Sequence, residues 1–174
     1  ISFFERVPAD FELPGGVIVP AGDYRFTVSS VNLTASPARN ISGNLKVFCC
    51  EFYDGDQLGW EGSLTVTPSH QFAASLAFTH RDFSLPGGDV EVKILSLEGR
   101  YNVSPDINFA AELQHDNISQ ELGALVSARW EPQPGRELLV TLGHRAETDD
   151  QLFPRRWDGR GTTFTVRLGQ LLQF

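Results

Sequence analysis

Along most of the chain, apolar and polar residues alternate one by one. "GWEGSLTVTP" sets Trp60, Gly62, Leu64 and Val66 against Glu61, Ser63, Thr65 and Thr67. "QFAASLAFTHR" sets Phe72, Ala74, Leu76, Phe78 and His80 against Ala73, Ser75, Ala77, Thr79 and Arg81. "INFAAELQHD", "GALVSARW" and the closing "TFTVRLGQLLQF" repeat the pattern. A two-residue period is the mark of a strand with one apolar face. Nine strands are predicted, at 24–34, 42–52, 58–66, 71–81, 89–103, 107–115, 120–131, 137–146 and 162–174, with a short tenth near 16–20. Several exceed the usual strand of about 5–6 residues and reach the 9–11 that cross a bilayer.

The breakers between strands sort into two kinds. Pro-bearing short ones lie at 36–40, 67–71, 104–107 and 132–135. Longer polar ones lie at 53–57, 84–89, 116–121 and 147–161. The kinds alternate along the chain, and successive connections of a meander lie at opposite ends of the sheet. Short turns at one end and long loops at the other describe an outer-membrane barrel. The expected fold is therefore all-β: an antiparallel up-and-down meander of about nine or ten long strands, part or all of a transmembrane β-barrel. Its last strand would finish at the short-turn, periplasmic end. Barrels of this kind usually have an even strand number, so nine predicts that the barrel's start is missing.

Two stretches change phase. In "DVEVKILSLEGRYNV", Val90, Val92 and Ile94 share one face, and Leu95, Leu97, Gly99, Tyr101 and Val103 the other. "YRFTVSSVNLT" switches near Ser29 and Ser30. Either a bulge causes the switch, or the strand rises above the bilayer.

Composition narrows the function. The 174 residues carry a net charge of −8, which argues against a nucleic-acid surface. No run of 18 apolar residues exists, which excludes a transmembrane helix but not a barrel. The chain starts on Ile, has no Met and shows no signal peptide, which predicts a fragment or a processed product. Cys49 and Cys50 are adjacent; strand neighbours point to opposite faces, so they read as two small packing residues.

The polar faces carry Lys46, Glu61, Glu98, Arg100, Glu112, Arg129 and Arg167, expected to line a wet lumen. Trp60 and Phe78 near one end, and Tyr101, Trp130 and Phe174 near the other, are expected as interface aromatics. Arg155, Arg156 and Trp157 in "PRRWDGRG" form a candidate ligand contact of the outer loop, weighed against a solvated loop paired to Asp149, Asp150 or Asp158. His80, His115 and His144 stand at the tops of alternate strands, roughly 10 Å apart, too far to share one ion. No G-x-S-x-G occurs, so no enzyme and no catalytic residue is expected, and no cofactor or metal. Two alternatives remain: a soluble β-sandwich or jelly-roll module binding carbohydrate, and a hydrolase at the rim of an outer-membrane barrel.

The closing strand, with Phe164, Val166, Leu168, Leu172 and Phe174, resembles the C-terminal signature of bacterial outer-membrane barrels; Gln170 departs from it. That resemblance implies an outer-membrane location and contact with the barrel-insertion machinery. "VIVPAGDYRF", "SPARNISGNL", "FYDGDQLG", "FSLPGGD" and "LQHDNISQELGALVSARWEPQPGREL" also look like the C-terminal barrel region of a bacterial family of unknown function. Its members generally carry a domain similar to family 9 carbohydrate-binding modules ahead of the barrel. The implied layout is a lead-in or long outer loop over 1–23 and the C-terminal portion of a barrel over 24–174. The implied role is membrane anchor or solute pore, with outer-membrane lipid and a carbohydrate or small solute as partners.

Overall fold

The structure, a computed structural model, describes residues 1–36, 39–148 and 157–170, with only the backbone of Trp157. Ten strands form one antiparallel meander: β1 (Ser2–Val7), β4 (Gly22–Ala35), β5 (Ile41–Phe52), β6 (Gly55–Val66), β7 (Phe72–Leu85), β8 (Gly88–Ser104), β9 (Ile107–Asp116), β10 (Glu121–Gln133), β11 (Arg136–Thr148) and β12 (Trp157–Gln170). Each of β5 to β12 pairs with its predecessor, and β1 pairs with β4. The short β2 (Phe11–Glu12) and β3 (Ile18–Val19) make a separate two-stranded hairpin. Among the described residues β1 and β12 each have a single neighbour, so the ladder stays open.

All nine predicted strands are present, the last of them described as far as Gln170. The tenth strand of the sheet is Ser2–Val7, not the expected 16–20, where Ile18–Val19 pairs only with Phe11–Glu12. "SFFERV" hides it, because adjacent Phe3 and Phe4 break the alternation. Residues 1–23 therefore contribute a strand as well as a lead-in.

The connections differ from expectation. At one end they are 36–40, 67–71, 105–106 and 134–135; at the other, 53–54, 86–87, 117–120 and 149–156. The supposed long loops at 53–57 and 84–89 are two-residue turns, because Asp56, Gln57, Ser84 and Asp89 continue the ladders. Backbone pairing needs no apolar side chain, so polar residues extend a strand that is wet on that face. Part of the asymmetry survives as strand length. At the end with turns 36–40 to 134–135, apolar residues such as Ile41, Val66, Phe72, Ile107 and Leu138 reach almost to the turns. At the other end the β7–β8 hairpin runs on past them. The turn at Pro134–Gly135 has Gly135 at φ +81°, the conformation a Pro-Gly type II turn requires.

No bulge explains the phase switch in β8. Its register with β7 runs unbroken from Phe72↔Tyr101 to Leu85↔Gly88. The environment changes instead, as the site below shows. Cys49 and Cys50 also depart from expectation: they form a disulfide, with Cys50 at φ +102° inside a ladder that stays in register on both sides.

Packing excludes the sandwich alternative. The accessible surface is 12043 Å², against about 8,500 Å² for a compact folded chain of this mass. A second layer would bury the alternating apolar residues; Leu97 is 46% exposed, Val126 48% and Leu142 47%. Burial is concentrated at one end, where Val7, Val19, Tyr24 and Phe26 pack together, next to Val17, Phe83 and Val90.

Candidate apolar belt and polar lining

Register assigns every side chain to a face, because directly paired residues of an antiparallel ladder point the same way. One face is apolar across the sheet. A row runs Ile41, Val66, Ala74, Gly99, Ala111, Val126, Leu142, Phe164. The next runs Phe72, Tyr101, Phe109, Ala128, Val140, Val166. On β10 the apolar positions extend from Leu122 to Trp130, a span of about 26 Å along the strand at ~3.3 Å per residue. No charged side chain interrupts this run on β6, β9 or β10.

Lys46, Glu61, Glu98, Arg100, Glu112, Arg129 and Arg167 all fall on the opposite face. Lys46 pairs with Glu61, Glu98 with Glu112, and Leu139 links Arg129 to Arg167. Glu98, Arg100 and Glu112 come together around a shallow groove of about 140 Å³, with Ser127 on its rim. Glu61 accepts hydrogen bonds from Arg81, and Arg81 and Lys46 both lie over the Phe48 ring. Arg129 donates to Glu137 at 2.6 Å and to Glu131 at 2.8 Å. Glu61 and Arg129 are thus paired laterally on this face, while Glu98 and Glu112 stand directly opposite each other beside Arg100.

Trp60, Phe78, Tyr101 and Trp130 lie on the apolar face, and the Trp60 and Phe78 rings meet edge-on at 4.8 Å. Gly62 lies directly under the Phe78 ring, which a Cβ would strike. Phe174, Arg155 and Arg156, like Leu172, Asp149 and Asp150, lie outside the described residues. Trp157 opens β12, in register with Thr148, and Arg160 forms an ion pair with Glu147.

Both faces exchange character at the end carrying Tyr53–Asp54 and Pro86–Gly87. Beyond Phe78, the outward positions of β7 are His80, Asp82 and Ser84. Their inward counterparts become Phe83 and Leu85, packed under Val17 and Leu13. β8 does the same: Glu91 and Lys93 point outward while Val90 and Val92 point inward. Such an inversion is what a strand shows when it passes from an apolar solvent into water.

The outward cluster at this end was not foreseen. His80 Nε2 lies 3.1 Å from Glu91 Oε1, its Nδ1 3.5 Å from Asp82 Oδ2, and Lys93 Nζ 2.7 Å from Glu91 Oε2. The hydrogen bond from Lys93 holds the Glu91 carboxyl below its usual range; burial works against this and His80 adds to it. At the end of β9, burial would push Asp116 up, but the hydroxyl of Ser119 and the N–H groups of Ser119 and Ile118, in the turn that follows, outweigh it and lower it. The cluster's signal was legible: His-x-Asp puts both side chains on one face, and the hairpin brings Glu91 opposite Asp82. The three histidines remain separate: His115 contacts Thr148 at 2.9 Å and His144 contacts Thr162 at 2.9 Å.

No protein-family model matches the chain, and no curated protein does. Among solved structures, the chain is similar to "OmpT (in-vitro folded), an outer membrane protein" of Vibrio cholerae in its trimer form, at 10% identity and a TM-score of 0.47. The match covers 92% of this chain and 62% of that one, so the chain spans about three fifths of its length. No residue role is carried over from it.

Proposed function

We propose that this sheet is part of the wall of a bacterial outer-membrane β-barrel, with its apolar face against lipid. The observation that carries this reading is the belt itself: an exposed, uncharged apolar surface about nine residues deep on one face of a single-layer sheet. In water, that surface is far larger than the patches soluble monomers leave exposed. Trp60 and Phe78 towards one margin, and Tyr101 and Trp130 towards the other, suit headgroup levels. The hairpins that overshoot the belt would stand on the outer side, with the turns at 105–106 and 134–135 in the periplasm. Closing the wall takes strand partners for β1 and β12.

Within this reading the role is that of an anchor. The apolar cluster under Val17 and Val19 covers the inner face at the outer end of β4 to β8, which disfavours a wide channel along those strands. The tethered partner would be a carbohydrate-binding-like domain, as the sequence resemblance implies. The experiment is refolding of the chain from urea. In phospholipid vesicles, strand content and protection of the belt strands from protease are expected. Without lipid or detergent, aggregation is expected, and a soluble monomer would overturn the reading.

A further inference from the structure

We propose that His80, Asp82 and Glu91 form a binding site for a divalent transition-metal cation on the outward face of the β7–β8 hairpin. Each of the three offers one ligand atom, and these atoms lie within 4.8 Å of one another. The second observation is His80 Nδ1, which is shielded from solvent and has no hydrogen-bond partner. When Nε2–H donates to Glu91, the neutral imidazole leaves a lone pair on Nδ1, facing the Asp82 carboxylate. Two electron-rich atoms then face each other at 3.5 Å, and a cation between them removes the conflict. That distance is close to the edge of a tetrahedron of ligands placed ~2.0–2.1 Å from zinc, about 3.4 Å.

One imidazole and two carboxylates suit zinc or another first-row divalent ion better than calcium or magnesium, which take oxygen alone. The ring is held by Trp60, whose centroid lies 5.3 Å away, so His80 is oriented before any ion arrives. Asp82 and Glu91 are about half exposed, so Glu91, which in the ion-free site accepts from Nε2–H on the far side of the ring, is free to swing away from Nε2 and close with Asp82 on an ion at Nδ1. Lys93 is the competitor, because its ammonium already occupies Glu91. The site stands on the hairpin alone and does not depend on the membrane reading.

The test is titration of the full chain, refolded in detergent micelles, with Co²⁺ followed by visible absorption and with Zn²⁺ followed by calorimetry. One site per chain is expected. His80→Ala, Asp82→Asn and Glu91→Gln should each weaken it by more than about a hundredfold, beyond the roughly 10–100-fold that loss of an outer-shell partner costs. Lys93→Gln should tighten it severalfold, and His144→Ala should leave it unchanged. Far-UV circular dichroism checks folding; should His80→Ala misfold, Asp82→Asn and Lys93→Gln decide by moving affinity in opposite directions. Absence of binding to the wild-type chain, or unchanged affinity in the folded variants, would overturn the proposal.

Discussion

Val126→Arg is expected to destabilise the chain in a bilayer by about 2–4 kcal/mol, while Ser127→Arg, one residue on, costs less than about 1 kcal/mol. Val126 sits in the middle of the β10 apolar run, flanked by Ala111 and Leu142 on the same face. A guanidinium placed there faces hydrocarbon, with no carboxylate within the belt to meet it. Ser127 pairs with Ala110 and Thr141 on the polar face, beside the groove that holds Arg100 and Glu112. An arginine there meets water and acidic neighbours. Urea titrations of both variants in lipid vesicles measure the contrast. Equal costs would mean that the two faces see the same solvent.

Phe83→Ala is the second large effect, a loss of about 3 kcal/mol. Phe83 is 9% exposed, packs against Val17 and Val90, and tilts over Phe52 at a centroid distance of 4.6 Å. Its removal leaves a cavity beneath the segment that holds Leu13 and Val17. That segment is also held to the sheet by Val19, packed on Val7, Tyr24 and Phe26, and by Tyr24 Oη donating to the Pro20 carbonyl. Two readouts are expected to move together: the urea midpoint falls, and residues 8–20 become sensitive to protease. The belt strands should keep their protection. Loss of protection across the whole sheet would show that this cluster holds more than one end of it.

The nine strands from 24 onward were legible because the two faces of each strand differ in polarity, and side chains record the difference with period two. The hairpin tips were not, because a strand in water on its outer face loses that contrast. "YDGDQ" therefore read as loop, although Asp56 and Gln57 pair with Glu51 and Cys50. The phase switch at Ile94 and Leu95 held the missing information: it marks the margin of the belt, which the unbroken β7–β8 register now shows. β1 was hidden by its adjacent phenylalanines, of which Phe3 stacks on Phe26 at 5.4 Å. The lining residues from Lys46 to Arg167 followed from strand parity alone. The His80 cluster needed register across a hairpin, which alternation within one strand does not supply.

The most direct test of lipid contact is a spin-label scan of residues 122–130, one cysteine at a time, in a chain carrying Cys49→Ser and Cys50→Ser and reconstituted in vesicles. Collision with oxygen, which concentrates in hydrocarbon, is compared with collision with a water-soluble nickel complex. Oxygen access is expected to peak at 122, 124, 126, 128 and 130, with nickel access peaking at the residues between. A profile without two-residue period, or nickel access at 124, 126 and 128 equal to that of their neighbours, would contradict an apolar face set against lipid.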